Sequence, residues 1–257
     1  MDAVPGPART LSRRTLKLAA LFFMLLNHIA WIFLPEDSLA CGLLTGLGYF
    51  TAPVMCYLLA EGVFLTRSVL RYLFRLLLFA LLSQVPYDLA FTKGAVITFT
   101  ELNMIYTLWV SLLLLTVHTR PFPELVKWVL SVLLVLTTVR ADWGVLAPVF
   151  TLMFYFAGNT QKARREVWAL TVIIIGVTFA QWTAVIGPIL AAVCVVRFYR
   201  SPLEQASGSP ENAEEGPVIP EGAYKKERVS ALSQWFFYLF YPLHLLILGL
   251  IRIHLTL

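Results

Sequence analysis

The strongest constraint on this chain is a succession of long apolar runs that continues over most of its length. A helix that spans a bilayer needs about 20 mostly apolar residues, with a range of about 17 to 25. Candidate spans lie at 16–34, 40–62, 73–91, 104–118, 125–139, 142–157, 167–185, 186–199 and 232–251. The pattern predicts an all-α, polytopic membrane bundle of about nine spans, formed by one domain over residues 1–257.

The composition excludes several other classes of protein. Hydrophobic residues make up 59% of the chain and charged residues only 14%, against about 45–50% and about 25% in an ordinary soluble domain. A soluble fold this apolar would have too little polar surface to cover itself. We therefore exclude a cytosolic globular enzyme and a disordered chain. We also expect no nucleic-acid partner, although the net charge is +5.

Two stretches qualify the count of spans. Residues 167–199 are too long for one span and contain Gly187-Pro188, where we expect a break, although one long kinked helix is the alternative. Residues 201–230 are rich in Pro, Ser, Glu and Gly and poor in bulky apolar residues. That composition predicts a disordered cytoplasmic linker before the last helix.

The basic residues indicate the orientation of the bundle. Cytoplasmic loops of membrane proteins carry an excess of Lys and Arg. With the N-terminus inside and nine alternating spans, the outer segments hold only Lys93, Arg140 and Arg252. The inner segments then hold the other 17 of the 20 Lys and Arg residues: Arg9, Arg13, Arg14, Lys17, Arg67, Arg71, Arg75, Arg120, Lys127, Lys162, Arg164, Arg165, Arg197, Arg200, Lys225, Lys226 and Arg228. This division predicts a cytoplasmic N-terminus.

The first span brings a cation and a histidine onto one helical face. Between Lys17 and His28 there are eleven steps of about 100°, which amount to three turns plus about 20°, and the rise is about 16 Å. A molecule with phosphates and a long thin arm, such as coenzyme A, could therefore bind Lys17 and reach His28. Histidine suits this place because its pKa near 6.5 allows general-base catalysis. The alternative is a histidine that only hydrogen-bonds to a neighbouring helix.

A second basic group follows the second span. Arg67, Arg71 and Arg75 recur every four residues and would share one helix face at the cytoplasmic surface. Guanidinium groups bind phosphates bidentately, although such a stripe also serves as a topology signal and a contact for anionic lipids. Glu61, at the end of the span, could orient an imidazole or pair with one of these arginines.

Other polar residues lie inside or beside later spans, where they are costly and usually face the bundle interior. They are Gln84, Asn103, Asp142, Tyr241 and His244. Asp142 could instead pair with Arg140 or cap its helix, and the last two could serve structural hydrogen bonding. The histidines and cysteines have no metal-site spacing, so we expect no metal.

Five separated blocks of the sequence form a series: LKLAALFFMLLNHIAW, APVMCYLLAEGVFLTRSVLRYLFRLLLFALLSQVPYDLAF, ELNMIYTLWVSLLLL, RADWGVLAPVFTLMFYF and FFYLFYPLHLLIL. In this order they resemble the TraX family, from residue 16 to about residue 250. That family is typified by the F-pilin acetyltransferase of conjugative plasmids and is distantly similar to the type-three membrane acyltransferases. In the latter an Arg is followed about ten residues later by a His. Here Lys17 takes the basic position, and Asn27 stands where the family commonly has Asp.

The resemblance implies an enzyme of the bacterial plasma membrane that takes an acetyl group from acetyl-CoA as co-substrate. Its acceptor would be a pilin-like peptide amine or a surface-glycan hydroxyl, and membrane lipids would surround it. His28 would be the catalytic base, with Asn27 and Glu61 orienting it. Coenzyme A phosphates would contact the basic residues Lys17, Arg67, Arg71 and Arg75. The acceptor path would be lined by Gln84, Asn103, Asp142, Tyr241 and His244.

Two other functions remain open at the level of the sequence. One is a proton-coupled transporter or flippase in which His28, Glu61 and His244 relay protons across the membrane. The other is a non-catalytic subunit of a secretion or assembly machine, in which loss of His28 would leave function intact.

Overall fold

The computed structural model describes residues 11–92, 97, 99–158, 160–199, 201–202 and 231–256. Regular structure over these residues is helical, with isolated β-bridges in place of strands. The helices are α1 (Arg13–Phe33), α2 (Leu39–Gly48), α3 (Thr51–Leu65), α4 (Val69–Phe91), α5 (Met104–Thr119), α6 (Glu124–Leu136), α7 (Leu146–Ala157), α8 (Gln161–Phe179), α9 (Ile186–Val193) and α10 (Ala231–Thr256). A 3-10 helix (Trp182–Val185) leads into α9, and a π-helix (Cys194–Phe198) continues it.

The helices begin where polar side chains can cap them. The side-chain oxygens of five residues accept hydrogen bonds from backbone N–H groups in the first turns that follow: Ser12, Ser38, Ser68, Asn103 and Thr160. Such caps satisfy N–H groups that have no partner within the helix. Each of the nine apolar runs contains a helix, so the predicted all-α class is confirmed for the described residues.

Two helix breaks differ from the sequence prediction. Run 40–62 forms two helices, because α2 ends at Gly48 and α3 begins at Thr51. Run 167–199 breaks at Ala180, a left-handed residue with φ of 50°, and not at Gly187-Pro188, which lie inside α9. Gly187 serves close packing instead, since a Cβ there would clash with the backbone nitrogen of Phe50.

Contacts between distant segments show that successive helical units alternate in direction. Leu11 pairs with Tyr199 where α1 begins and the π-helix has ended, whereas Leu102 pairs with Ala141 just before α5 and after α6. We call the first of these the basic end, because α1 and α4 begin there with their arginines and lysine. The second, where α1 finishes and α5 begins, is the far end. This alternation agrees with the charge division that the sequence predicts.

Helices α1, α4 and α10 run in the same direction and lie side by side. The Phe79 ring of α4 stacks on Tyr238 of α10 at 5.0 Å between centroids. Further along α10, Arg252 donates to the carbonyl oxygen of Leu89 at 3.0 Å and also to that of Thr92. These three helices, together with α3 and α5, surround the internal cavity described below.

Among the described residues, four helical segments are long and apolar enough to cross a membrane by length and composition: Arg13–Phe33, Leu39–Leu65, Val69–Phe91 and Trp235–Leu255. Large apolar side chains are also exposed on the outside of the bundle, such as Leu70 at 77%, Val177 at 76% and Phe74 at 67%. Exposed apolar side chains in this number are typical of a surface that contacts a membrane or another protein.

The predicted linker at 201–230 lies outside the described residues, apart from its first two. Ser201, at its start, is buried.

Candidate functional site

A cavity of about 580 Å³ lies between α1, α3, α4, α5 and α10. Its mouth at the basic end is lined by the cationic side chains Arg13, Arg14, Lys17 and Arg75. Its deepest walls toward the far end include Met24, Met104 and Tyr241. The cavity therefore joins a cationic entrance to an apolar interior.

One stripe of α1 forms a continuous wall of this cavity and leads to His28. Arg13, Lys17, Leu21 and Met24 line it at intervals of three and four residues, the spacing of one helix face. His28 follows Met24 by one more turn. Both predicted ends of the stripe contact α10, because the Lys17 ammonium lies 5.4 Å from the ring centroid of Phe237 and His28 bonds His244. Both residues therefore face α10.

The basic mouth differs from the predicted arginine stripe. Arg75 lines the cavity, and its guanidinium lies 5.6 Å from the ring centroid of Tyr72. Its buried Nε has no hydrogen-bond partner among the described residues. Arg67 and Arg71 are exposed and lie outside the cavity lining. Arg67 is not even on the helix, because Ser68 caps α4 one residue later.

Glu61 lies at the basic end and is separated from His28. Its Oε2 is 3.2 Å from Arg13 Nε, and it accepts hydrogen bonds from the Tyr199 hydroxyl at 2.9 and 2.7 Å. Arg13 and His28 are fifteen residues apart on α1, which is about 22 Å of helix. The structure therefore does not bring Glu61 to the imidazole. Among the described residues, no direct contact joins Glu61 to the two histidines as a proton relay would require.

His28 forms a buried pair with His244 of α10. The distance from His28 Nδ1 to His244 Nε2 is 2.7 Å, and His244 Nδ1 is 2.7 Å from the carbonyl oxygen of Phe240. The two ring planes lie within 3° of each other. Both side chains are buried, at 6% and 7% exposure. The pair is thus a chain of hydrogen bonds that ends on a backbone carbonyl.

Asn27 faces a different helix from its neighbour His28. Its Nδ2 donates to the carbonyl oxygen of Thr45 in α2 at 3.2 Å, and its side chain fills the space beside Gly48. Consecutive residues of a helix point about 100° apart. Asn27 therefore fixes α1 against α2, while His28 turns toward α10.

A hydrogen-bond network joins Gln84 of α4 to Asn103 at the far end. Asn103 Nδ2 donates to Gln84 Oε1 and to the carbonyl oxygen of Ala80, both at 2.8 Å. Gln84 Nε2 donates to Asp88 Oδ1 at 3.2 Å and to the Glu101 carbonyl at 2.7 Å. Two predicted acceptor-path residues therefore meet, and Asn103 also caps α5.

Tyr241 connects the cavity, the histidine pair and α5. Its ring lines the cavity, its centroid is 6.2 Å from that of His28, and its hydroxyl accepts from the backbone N–H of Met104 at 3.4 Å. Asp142 lies in the turn before α7 and does not cap it, because the N-cap is Val145. The Asp142 carbonyl oxygen instead accepts from Thr107 Oγ1 at 2.7 Å.

The sequence prediction missed two cationic residues of the cavity lining and one partner of Glu61. Arg13 lies four residues before Lys17, so the helical spacing that relates Lys17 to His28 would have included it, and Arg14 lies beside it. Tyr199 has no such local signal, since it reaches Glu61 only through the packing of distant segments. Among the described residues no group of three His, Cys, Asp or Glu side chains comes together as a metal site.

Comparison with known proteins agrees with the five sequence blocks. The model of the family described as TraX protein matches residues 12–252. The probable fimbrial assembly protein FimC, serogroup H1, of Dichelobacter nodosus is 29% identical over 239 residues, which cover 91% of this chain and 92% of that protein. No solved structure matches the chain.

Proposed function

This chain belongs to the TraX family, and on that premise we propose that it is an integral-membrane acetyltransferase that uses cytoplasmic acetyl-CoA. Four segments suited to crossing a bilayer support a multi-pass place in the bacterial plasma membrane. The concentration of Lys and Arg at the basic end supports a cytoplasmic location for the cavity mouth.

The observation that carries the proposal is the cavity, which connects a cationic mouth to the neighbourhood of a buried histidine. Coenzyme A is anionic at its nucleotide end and carries its acyl group on a long thin arm. Arg14, Lys17 and Arg75 would bind the phosphates, and Arg75 offers a buried Nε that lacks a protein partner among the described residues. The arm would then follow the α1 stripe, where Lys17 and His28 are about 16 Å apart along the helix.

Met24 lies between the cavity and His28, one helical turn before it. Methionine has three rotatable bonds and adapts its shape readily. Rotation of the Met24 side chain would let the thioester approach the imidazole. The apolar walls would keep water away from the thioester and so favour the acceptor over hydrolysis.

His28 would act as a general base. It would take the proton from the acceptor N–H or O–H as the acceptor atom forms a bond to the acetyl carbonyl carbon. The carbon–sulfur bond then breaks, and His28 would return the proton to the leaving thiolate to give coenzyme A thiol. A base placed in this way contributes about 10²–10⁴-fold to a reaction rate.

A pilin-like peptide amine is the acceptor that the relatives favour. The F-pilin acetyltransferase typifies the family, and the FimC relative bears the name of a fimbrial assembly protein. A surface-glycan hydroxyl is the second candidate, since the same base would activate either group. The far end, with Gln84 and Asn103, would face the acceptor side of the membrane.

Release of coenzyme A thiol from acetyl-CoA by the purified full chain in proteoliposomes tests the proposal. The assay contains either a peptide with a free N-terminal amine or a glycan acceptor. We expect turnover with the peptide and a loss of at least about 10²-fold in His28→Ala. His118→Ala is the matched control, because His118 bonds Ser131 of α6 and lies outside the cavity lining.

Absence of both thiol release and coenzyme A binding in the wild-type protein would overturn the acetyltransferase proposal. Turnover that survives in a folded His28→Ala variant would mean that the protein is an acetyltransferase but that His28 is not its base. Proton-driven transport without thiol release would favour the transporter instead.

A further inference from the structure

The histidine pair has a direction that its contacts determine. The Phe240 carbonyl oxygen can only accept a hydrogen bond, so His244 Nδ1 carries the proton in that contact. In neutral His244 the other nitrogen, Nε2, then bears a lone pair and must accept. His28 Nδ1 therefore donates to His244 Nε2 across the 2.7 Å contact. The remaining nitrogen, His28 Nε2, is left with the free lone pair.

We propose that His244 is a positioning residue that holds His28 in the tautomer with the proton on Nδ1, so that Nε2 is the basic atom. This inference rests on the proposed function, because it assigns the atom of His28 that accepts the proton. His244 itself does not meet the substrate in this arrangement and acts only through His28.

The alternative arrangements of protons are costly at this place. If His244 donated to His28, both of its nitrogens would carry protons and the ring would be a buried cation. Its side chain is 7% exposed, and an unpaired charge inside a membrane bundle is energetically costly. If neither ring donated, two lone pairs would face each other at 2.7 Å. Donation from His28 is the arrangement in which both rings stay neutral.

Neighbouring rings hold the two imidazoles in place. Phe240 stacks on His244 with centroids 4.8 Å apart. Phe91 packs edge-on against His28 at 5.4 Å, and Tyr241 contacts both histidines. A 180° turn of the His244 ring would break both hydrogen bonds of the chain, and a 180° turn of the His28 ring would break the bond between the two histidines.

The arrangement also keeps the proton available for return. When His28 takes the acceptor proton on Nε2, its Nδ1–H still donates to His244, which shares the new positive charge through the hydrogen bond. His244 cannot pass on its own Nδ1 proton because a carbonyl oxygen does not take it. The proton on His28 Nε2 then goes to the leaving thiolate, and both rings return to their starting states.

Nitrogen NMR of ¹⁵N-histidine-labelled full chain tests the tautomer directly. The His28 signal is assigned from its loss in His28→Ala. We expect wild-type His28 to carry its proton on Nδ1. His244→Leu removes the acceptor and should abolish this preference, whereas His244→Gln should keep it, since the amide oxygen of Gln can replace Nε2.

Kinetics of the same variants separate positioning from simple structural support. We expect kcat of His244→Leu to fall about 10²-fold while KM for acetyl-CoA changes less than about twofold. His244→Gln should recover kcat to within about tenfold of the wild type. His118→Leu, the same substitution at a histidine outside the site, should leave kcat and KM unchanged.

Failure of the positioning role and failure of the proposed function give different results. A wild-type His28 with its proton on Nε2, or a His244→Leu variant with wild-type kcat, would overturn the positioning role even if the protein is an acetyltransferase. Absence of thiol release in the wild type would instead overturn the proposed function. If His244→Leu does not fold, the wild-type tautomer and the rescue by His244→Gln decide the inference.

Discussion

The cationic mouth of the cavity and the histidine pair beyond its deep end differ in their electrostatics. At the basic end, Arg13, Lys17 and Arg75 keep their charges, and Glu61 balances one of them from a side chain that is only 4% exposed. Near the far end, His28, His244 and the Phe240 carbonyl form a chain of hydrogen bonds in which every group can be neutral. Arg13 and His28 are only about four helical turns apart on α1.

The difference indicates that the two ends of α1 have different functions, ligand binding at the mouth and proton transfer in the interior. Cations at the mouth can attract an anionic ligand while part of each side chain remains near water. A proton-transfer group in the apolar interior is better neutral, because an unpaired charge there is costly. Substitutions at the mouth should therefore change binding, and substitutions at the histidine pair should change turnover.

The largest effect is expected when a charge is placed at the wrong end. Met24→Lys would put an ammonium at the buried deep end of the cavity, where Met24 is 7% exposed, and a lysine at the centre of a spanning helix costs about 3 kcal/mol. We expect a large fall in the thermal midpoint in detergent. Thr66→Lys, at the half-buried mouth of the same cavity, should leave the midpoint nearly unchanged. If neither lysine variant changed the thermal midpoint, the proposed difference between the two ends would be contradicted.

A smaller loss of stability is expected at the ion pair of the basic end. Glu61→Gln keeps an acceptor for the Tyr199 hydroxyl but removes the negative charge beside Arg13. Arg13 is 18% exposed, so water offsets part of the loss, and we expect a cost of about 1–2 kcal/mol. Thermal unfolding followed by circular dichroism measures it.

Glu124→Gln is the matched control for that change. Glu124 also pairs with a basic residue, Lys127 at 2.7 Å, but its side chain is 73% exposed, and exposed pairs contribute little. Its thermal midpoint should not change. A comparable shift in both variants would mean that burial of Glu61 adds nothing.

Local periodicity explains which parts of the site could be predicted from the sequence. Lys17 and His28 belong to one helix, and the geometry of a helix places residues eleven positions apart on nearly the same face. The all-α class of the fold follows from apolar runs of the length that a spanning helix needs. Arg67 could also have been placed correctly, since Ser68 before an apolar run is a helix-cap signal.

Partners that depend on packing could not be predicted. His28 and His244 are separated by 216 positions, so each could be proposed as a polar residue in a span, but not as one half of a pair. For Glu61 the sequence leaves two partners open, an imidazole or one of the three arginines that follow it, whereas the packing of α1 against α3 places it beside Arg13.

The smallest expected effect concerns ligand affinity at the mouth. Arg75→Gln removes a cation that lines the cavity and whose Nε lacks a protein partner among the described residues. We expect the Kd for coenzyme A to rise about tenfold, which corresponds to about 1.4 kcal/mol, while kcat at saturating acetyl-CoA stays unchanged. Isothermal titration and thiol-release kinetics measure the two quantities.

Arg71→Gln is the control within the same helix, because Arg71 precedes Arg75 by about one turn but is exposed and outside the cavity lining. Both variants lose one positive charge, so a ligand held by the general field of the basic end would respond to them equally. A ligand held inside the cavity responds to Arg75 alone. Added salt should weaken binding to the wild type more than to Arg75→Gln, because the variant has lost one charge contact that ions screen. Equal responses of the two variants would move the phosphates from the cavity to the outer surface, and the α1 stripe would then lose its role as the path to His28.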